Sequence, residues 1–133
     1  MKGLTVLSLL ASAVVSLASL MSGASYLEFA LPGGLPAGNA LAAIGLASTA
    51  ALPVLLSPAG SALRAAALAA LAAATAWLPL SIVLAGNLTL NFASGSGSIW
   101  QGFTLAVILF VLCTLAWALV SRLVSMRRRN GAA

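Results

Sequence analysis

The groups in this chain that could do chemistry are few. Glu28 is its one carboxylate, Cys113 its one thiol, and it has no histidine. One carboxylate cannot form a paired acid–base site. Metal centres need several His, Cys or carboxylate ligands together, and haem ligation by histidine falls with the same composition. Serines are plentiful, but none has a His or Asp partner to activate it. No glycine-rich phosphate loop with its lysine is present, and Gly95-Ser96-Gly97 reads as a linker. The chain is therefore expected to be no enzyme and to hold no cofactor or metal. Glu28 reads as a solvated loop charge; handling of a cation or proton is the sharper alternative, which requires it to dip into a membrane. Cys113 lies mid-way along an apolar run and reads as a small buried apolar residue.

The elements around these residues are dictated by composition. The chain is 62% hydrophobic and only 5% charged, whereas soluble domains carry about a quarter of their residues charged. Such a chain cannot cover its surface in water, so lipid must be the solvent for most of it. With 133 residues there is room for one integral membrane domain, residues 1–133. The fold class expected is an all-α bundle of four transmembrane helices, at about residues 3–23, 38–57, 62–86 and 100–122. The third run is uncharged from Ala65 to Ala85, roughly 30 Å of helix and enough to cross a hydrocarbon core.

The first run follows Met1 and Lys2 and has two readings. Small residues around Ser22 and Ala24 resemble a signal-peptide cleavage site before Ser25. The uncharged run is also long enough to span, and a retained helix is the preferred reading. Ser8, Ser12 and Ser16 recur every four residues, a small polar stripe suited to helix contact. Ala43, Ala47 and Ala51 repeat the spacing in the second run, and the third run holds two such stripes, Ala66, Ala70 and Ala74 and beside it Ala65, Ala69 and Ala73, so a close antiparallel seam is expected across the short turn Ser57–Ser61. Asn39 is a plausible N-cap. Pro53 and Pro79 are expected to kink their helices. Paired interruptions can also mark a transporter's binding site.

Two loops, 24–37 and 87–99, join these hairpins. In the second, Leu88, Leu90 and Phe92 alternate with polar residues, which predicts a short extended segment, and Asn87-Leu88-Thr89 matches a glycosylation sequon. Trp100 and Trp117 are placed as interfacial anchors of the last helix.

The cations mark topology. Lys2, Arg64, Arg122, Arg127, Arg128 and Arg129 all fall on one side of a four-pass arrangement, and Glu28 falls on the other. The positive-inside rule then puts both termini, including a basic tail 122–133, in the cytoplasm, with loops 24–37 and 87–99 outside. The same cations suit anionic lipid headgroups. Clustered at helix ends rather than spread over a polar face, they do not suit nucleic acid.

In size the chain is similar to the small multidrug transporters, but the carboxylate that marks their first helix has no counterpart in Gly3–Gly23. Asn91 and Phe92 do not match the order or spacing of the Asn and Phe motifs of fluoride channels. The expected function is a non-catalytic subunit or accessory protein of a membrane complex, multi-pass in a bacterial inner membrane. Its expected partners are the lipid bilayer and other membrane subunits or itself. The alternatives are a small homo-oligomeric transporter or channel for a neutral solute, and a membrane-permeabilising protein similar to phage holins.

Overall fold

The computed structural model describes residues 2–93 and 95–130, without the side chains of Lys2 and Arg129. The roles expected of Lys2 and Arg129 therefore lie outside the described side chains. Four α-helices follow one another: α1 (Lys2–Met21), α2 (Ala37–Leu56), α3 (Ala62–Ala85) and α4 (Ser96–Asn130). Each is long and apolar enough to cross a membrane.

Punctuation in the sequence sets the helix ends. Ser61 caps α3, its Oγ accepting from the Arg64 N–H at 3.1 Å. Gly86 closes α3 in the left-handed conformation, with its N–H donated to the Ile82 carbonyl. Asn39 does not cap α2: Pro36 occupies that position, and the Asn39 Nδ2 donates instead to the Leu88 carbonyl at 3.3 Å. The last helix is also longer than expected. It starts at Ser96 within the presumed linker and runs through Arg122 to Asn130, because no Gly or Pro interrupts residues 103–130 and arginine is a good helix former.

Packing follows a simple order. α2 lies beside α1, α3 and α4, and α3 lies beside α4. The core is made of small and β-branched residues, Ala50 with Ala70, Ala74, Val107 and Val111, flanked by Leu46, Leu71 and Phe103. On α3 the buried positions are Leu63, Ala67, Ala70, Ala74, Trp77 and Ser81, alternating steps of four and three. On α4 Val107, Val111, Thr114 and Ala118 keep the same rhythm. A four-and-three rhythm is the pattern with which ridges of one helix pack into grooves of another along a seam, and in lipid van der Waals packing rather than hydrophobic exclusion holds such a seam together.

Against α2, α1 makes a closer contact. A β-carbon on Gly45 would lie 2.9 Å from the Ser16 Cβ, so the backbones cross where only glycine fits. One turn away, the Ser48 hydroxyl donates to the Ser12 Oγ at 3.0 Å.

Candidate functional site

Two regions bring polar groups together, one in each half of the bundle. The first is an aromatic and hydroxyl cluster between α3 and α4. Trp77 Nε1–H donates to the Thr104 Oγ1 at 2.9 Å, and Trp100 Nε1–H to the Ser81 Oγ at 2.9 Å. The Ser81 hydroxyl itself donates to the Trp77 carbonyl at 2.6 Å. Phe92 stacks on Trp100 with ring centroids 4.7 Å apart. Of the two expected interfacial anchors, Trp100 is half-buried with its indole N–H bonded to Ser81, while Trp117 is half exposed on the outer face of α4. The apolar rings here carry polar tips that must find partners away from water, and Ser81 and Thr104 supply them. Only the presence of tryptophans could be read from sequence; their pairing with Ser81 and Thr104 spans 19 and 27 residues and left no local signal.

Trp77 and Thr104 also line a groove of about 400 Å³ formed by α1, α2 and α4, with Val14 and Leu17 from α1, Leu46 from α2 and Ile108 and Leu112 from α4. Its lining is almost wholly apolar. No buried side-chain N or O atom among the described residues lacks a hydrogen-bond partner.

Next to this cluster, residues 86–91 fold as a compact turn. Asn87 Oδ1 accepts from the Thr89 hydroxyl at 2.8 Å and the Asn91 N–H at 3.0 Å, while its Nδ2 donates to the carbonyls of Ala85 and Asn91. Leu90 takes a positive φ of 56° within it. The extended segment expected here is thus replaced by a side-chain-built turn, because asparagine offers the backbone local partners that compete with an extended chain. The sequon's acceptor nitrogen is one of the atoms so engaged. Glu28 lies exposed at the end of a single 3-10 turn, Ser25–Glu28, in the neighbouring loop.

The second region lies at the opposite end, where α2 terminates. Arg64 Nη1 donates to the carbonyls of Val54 at 3.2 Å and Ser57 at 3.5 Å, and Arg122 Nε–H donates to the Leu56 carbonyl at 2.9 Å. Two cations from different helices thus meet the negative end of the α2 dipole. A cleft of about 700 Å³ opens between them. Arg127 and Arg128 follow on the exposed end of α4.

The expected packing residues are placed unevenly. Ser16 is buried against α2 and Ser12 bonds Ser48, whereas Ser8 is exposed and bonds its own helix at the Leu4 carbonyl. Ala43, Ala47 and Ala51 are half-buried on α2. On α3, Ala70 and Ala74 lie in the core and Ala66 is half-buried, while Ala67, not singled out by its spacing, is fully enclosed. Cys113, expected to be buried, is exposed on the outer face of α4. Both helices continue through their prolines, Pro53 being buried and Pro79 exposed. Pro53 stands one turn from the α2–α3 connection, whereas Pro79 stands 17 residues beyond the start of α3, roughly 25 Å along its axis. They therefore lie at different heights of the hairpin. Compared with known proteins, the chain matches no family model, no curated protein and no solved structure.

Proposed function

We propose that this protein is a non-catalytic subunit or accessory protein of a membrane complex, lodged in the bilayer by its four helices and joined to other membrane subunits through α3. The outward face of α3 carries this reading. Ala62, Ala65, Ala69 and Ala72 are all exposed along its first half, a strip of methyl groups bordered by Leu68 and followed by Leu80 and Val83 toward the end of the helix. The outer face of α4, by contrast, presents Leu105, Leu109, Leu119 and Val120, large side chains suited to lipid. A strip of small residues gains little from lipid and lets another helix approach to backbone distance.

The interior supports the same assignment. No Asp, Glu, His, Lys or Arg lies in α1 beyond Lys2, in α2, in α3 beyond Arg64, or in α4 before Arg122, and such residues usually mark ion and proton pathways. The buried hydroxyls and indoles are engaged with one another or with backbone. The separate heights of Pro53 and Pro79 do not form the paired midplane interruptions of a transporter site.

For orientation, the positive-inside rule assigns both termini to the cytoplasm, and a bacterial inner membrane is the setting proposed for the bundle. Arg64 and Arg122 meet at one end of the bundle, and the loops linked by Asn39 and Leu88 lie at the other. Reporter fusions after Ala133 and within residues 24–37 test this assignment; an external C-terminal reporter would reverse it. The subunit assignment is tested by the native mass of the extracted protein and of the Ala65→Leu, Ala69→Leu double variant. Release of bound chains by the variant is the expected result.

A further inference from the structure

We propose that Arg64 and Arg122 together bind the phosphate of an anionic membrane lipid in the cleft at the α2 terminus. Each guanidinium is tethered along one edge by backbone carbonyls: Arg64 through Nη1 to Val54 and Ser57, Arg122 through Nε to Leu56. The tethers fix the direction of two otherwise flexible side chains and leave Nε and Nη2 of Arg64 and both Nη atoms of Arg122 for a ligand. An arginine fork matches a phosphate's oxygens in pairs.

Charge calls for an anion here. Two full positive charges face a helix terminus worth only about half a negative charge. The sole carboxylate of the chain, Glu28, is at the far end of the bundle. An uncompensated positive charge of more than one unit therefore borders a cleft of about 700 Å³.

The walls choose among anions. Leu55, Leu56, Leu63 and Met126 line the cleft beside the two arginines, an apolar surface for glycerol and the first carbons of acyl chains. Arg64 lies in the first turn of α3, and Arg122 follows the uncharged stretch of α4, the level at which headgroups meet a spanning helix. No lining residue is acidic, so the cation of a choline or ethanolamine headgroup finds no partner, and Arg127 and Arg128 further along α4 repel it. An anionic lipid is thereby favoured over a zwitterionic one. The site does not depend on whether the protein has partner subunits.

The test is native mass spectrometry of the full chain in an uncharged detergent. The probes are phosphatidylglycerol, phosphatidylcholine of identical acyl chains, and inorganic phosphate. Phosphatidylglycerol is expected to be retained and the other two lost. Arg122→Gln is expected to weaken its retention roughly tenfold, the loss of a charge-assisted contact. The Arg127→Gln, Arg128→Gln double variant, which removes more charge outside the cleft, is expected to retain it. Equal retention of the two lipids, or an equal loss in the tail variant, would overturn the proposal in favour of diffuse surface attraction. Retention of inorganic phosphate as tight as that of phosphatidylglycerol would overturn the lipid as its source. Where Arg122→Gln does not survive extraction, the lipid comparison and the tail variant decide alone.

Discussion

Gly45 of α2 stands so close to Ser16 of α1 that a β-carbon at residue 45 would come within 2.9 Å of the Ser16 Cβ. The clash would be with an atom one bond from the backbone, so relief requires α1 itself to move. Alanine is worth up to about 1 kcal/mol over glycine inside a helix, but overpacking costs about 1–3 kcal/mol. Gly45→Ala is therefore expected to destabilise the α1–α2 pair, while Gly102→Ala, which meets nothing within 4 Å, is expected to be neutral or stabilising. Denaturant unfolding in mixed micelles measures both. A Gly45→Ala variant as stable as Gly102→Ala would refute the close crossing.

The Ser48–Ser12 hydrogen bond fastens the same pair of helices one turn away. Interhelical bonds in membranes average only about 0.6 kcal/mol by double-mutant cycles. A cycle of Ser12→Ala and Ser48→Ala is expected to give a coupling of about that size, favourable in sign. Additive effects of the two substitutions would place the hydroxyls apart.

Ser81 is fully buried and serves Trp100 and the Trp77 carbonyl at once. Ser81→Ala leaves the indole N–H of Trp100 without its acceptor, at a cost of about 1–3 kcal/mol. In a Trp77→Phe, Trp117→Phe background, Trp100 is the only remaining tryptophan, and its emission reports the change directly. A wavelength shift with lowered stability is expected; an unchanged spectrum would mean that the indole is not held by Ser81.

The two alanine faces of α3 separate folding from assembly. Ala70 and Ala74 pack in the core against α2 and α4, so leucine at either is expected to cost about 1–3 kcal/mol and to lower the thermal midpoint of the monomer. Leucine at Ala65 or Ala69, both exposed, is expected to leave the monomer's melting unchanged. Melting curves of the four single variants in detergent check the division. Equal losses at all four positions would contradict the outward placement of Ala65 and Ala69.

Which parts of this arrangement were legible in the sequence follows from how strongly lipid constrains it. Four uncharged runs of spanning length, and the Ser57–Ser61 connection between α2 and α3, could be read because every backbone polar group in a bilayer must be satisfied within its own helix. The rotation of α3 could not be read from its alanines, since Ala65–Ala67, Ala69–Ala70 and Ala72–Ala74 offer a small residue in nearly every direction. The larger or polar residues at its ends held the answer: Leu63, Trp77 and Ser81 continue the same four-and-three rhythm that encloses Ala67, Ala70 and Ala74. Asn87 misled in another way. Its alternating neighbours imply an extended chain, but its own amide bonds fold them into a turn. The pairing of Arg64 and Arg122 on the end of α2 joins residues far apart in sequence, and only the folded bundle reveals it.

The subunit assignment is tested most directly by the native mass of the tagged protein extracted in mild detergent, with every co-purifying chain identified in the wild type and in the Ala65→Leu, Ala69→Leu variant. A stoichiometric complex with other membrane chains is expected for the wild type, and a folded, partner-free protein for the variant. A wild-type protein that runs alone or only with copies of itself, and carries a neutral solute across liposome membranes, would contradict it.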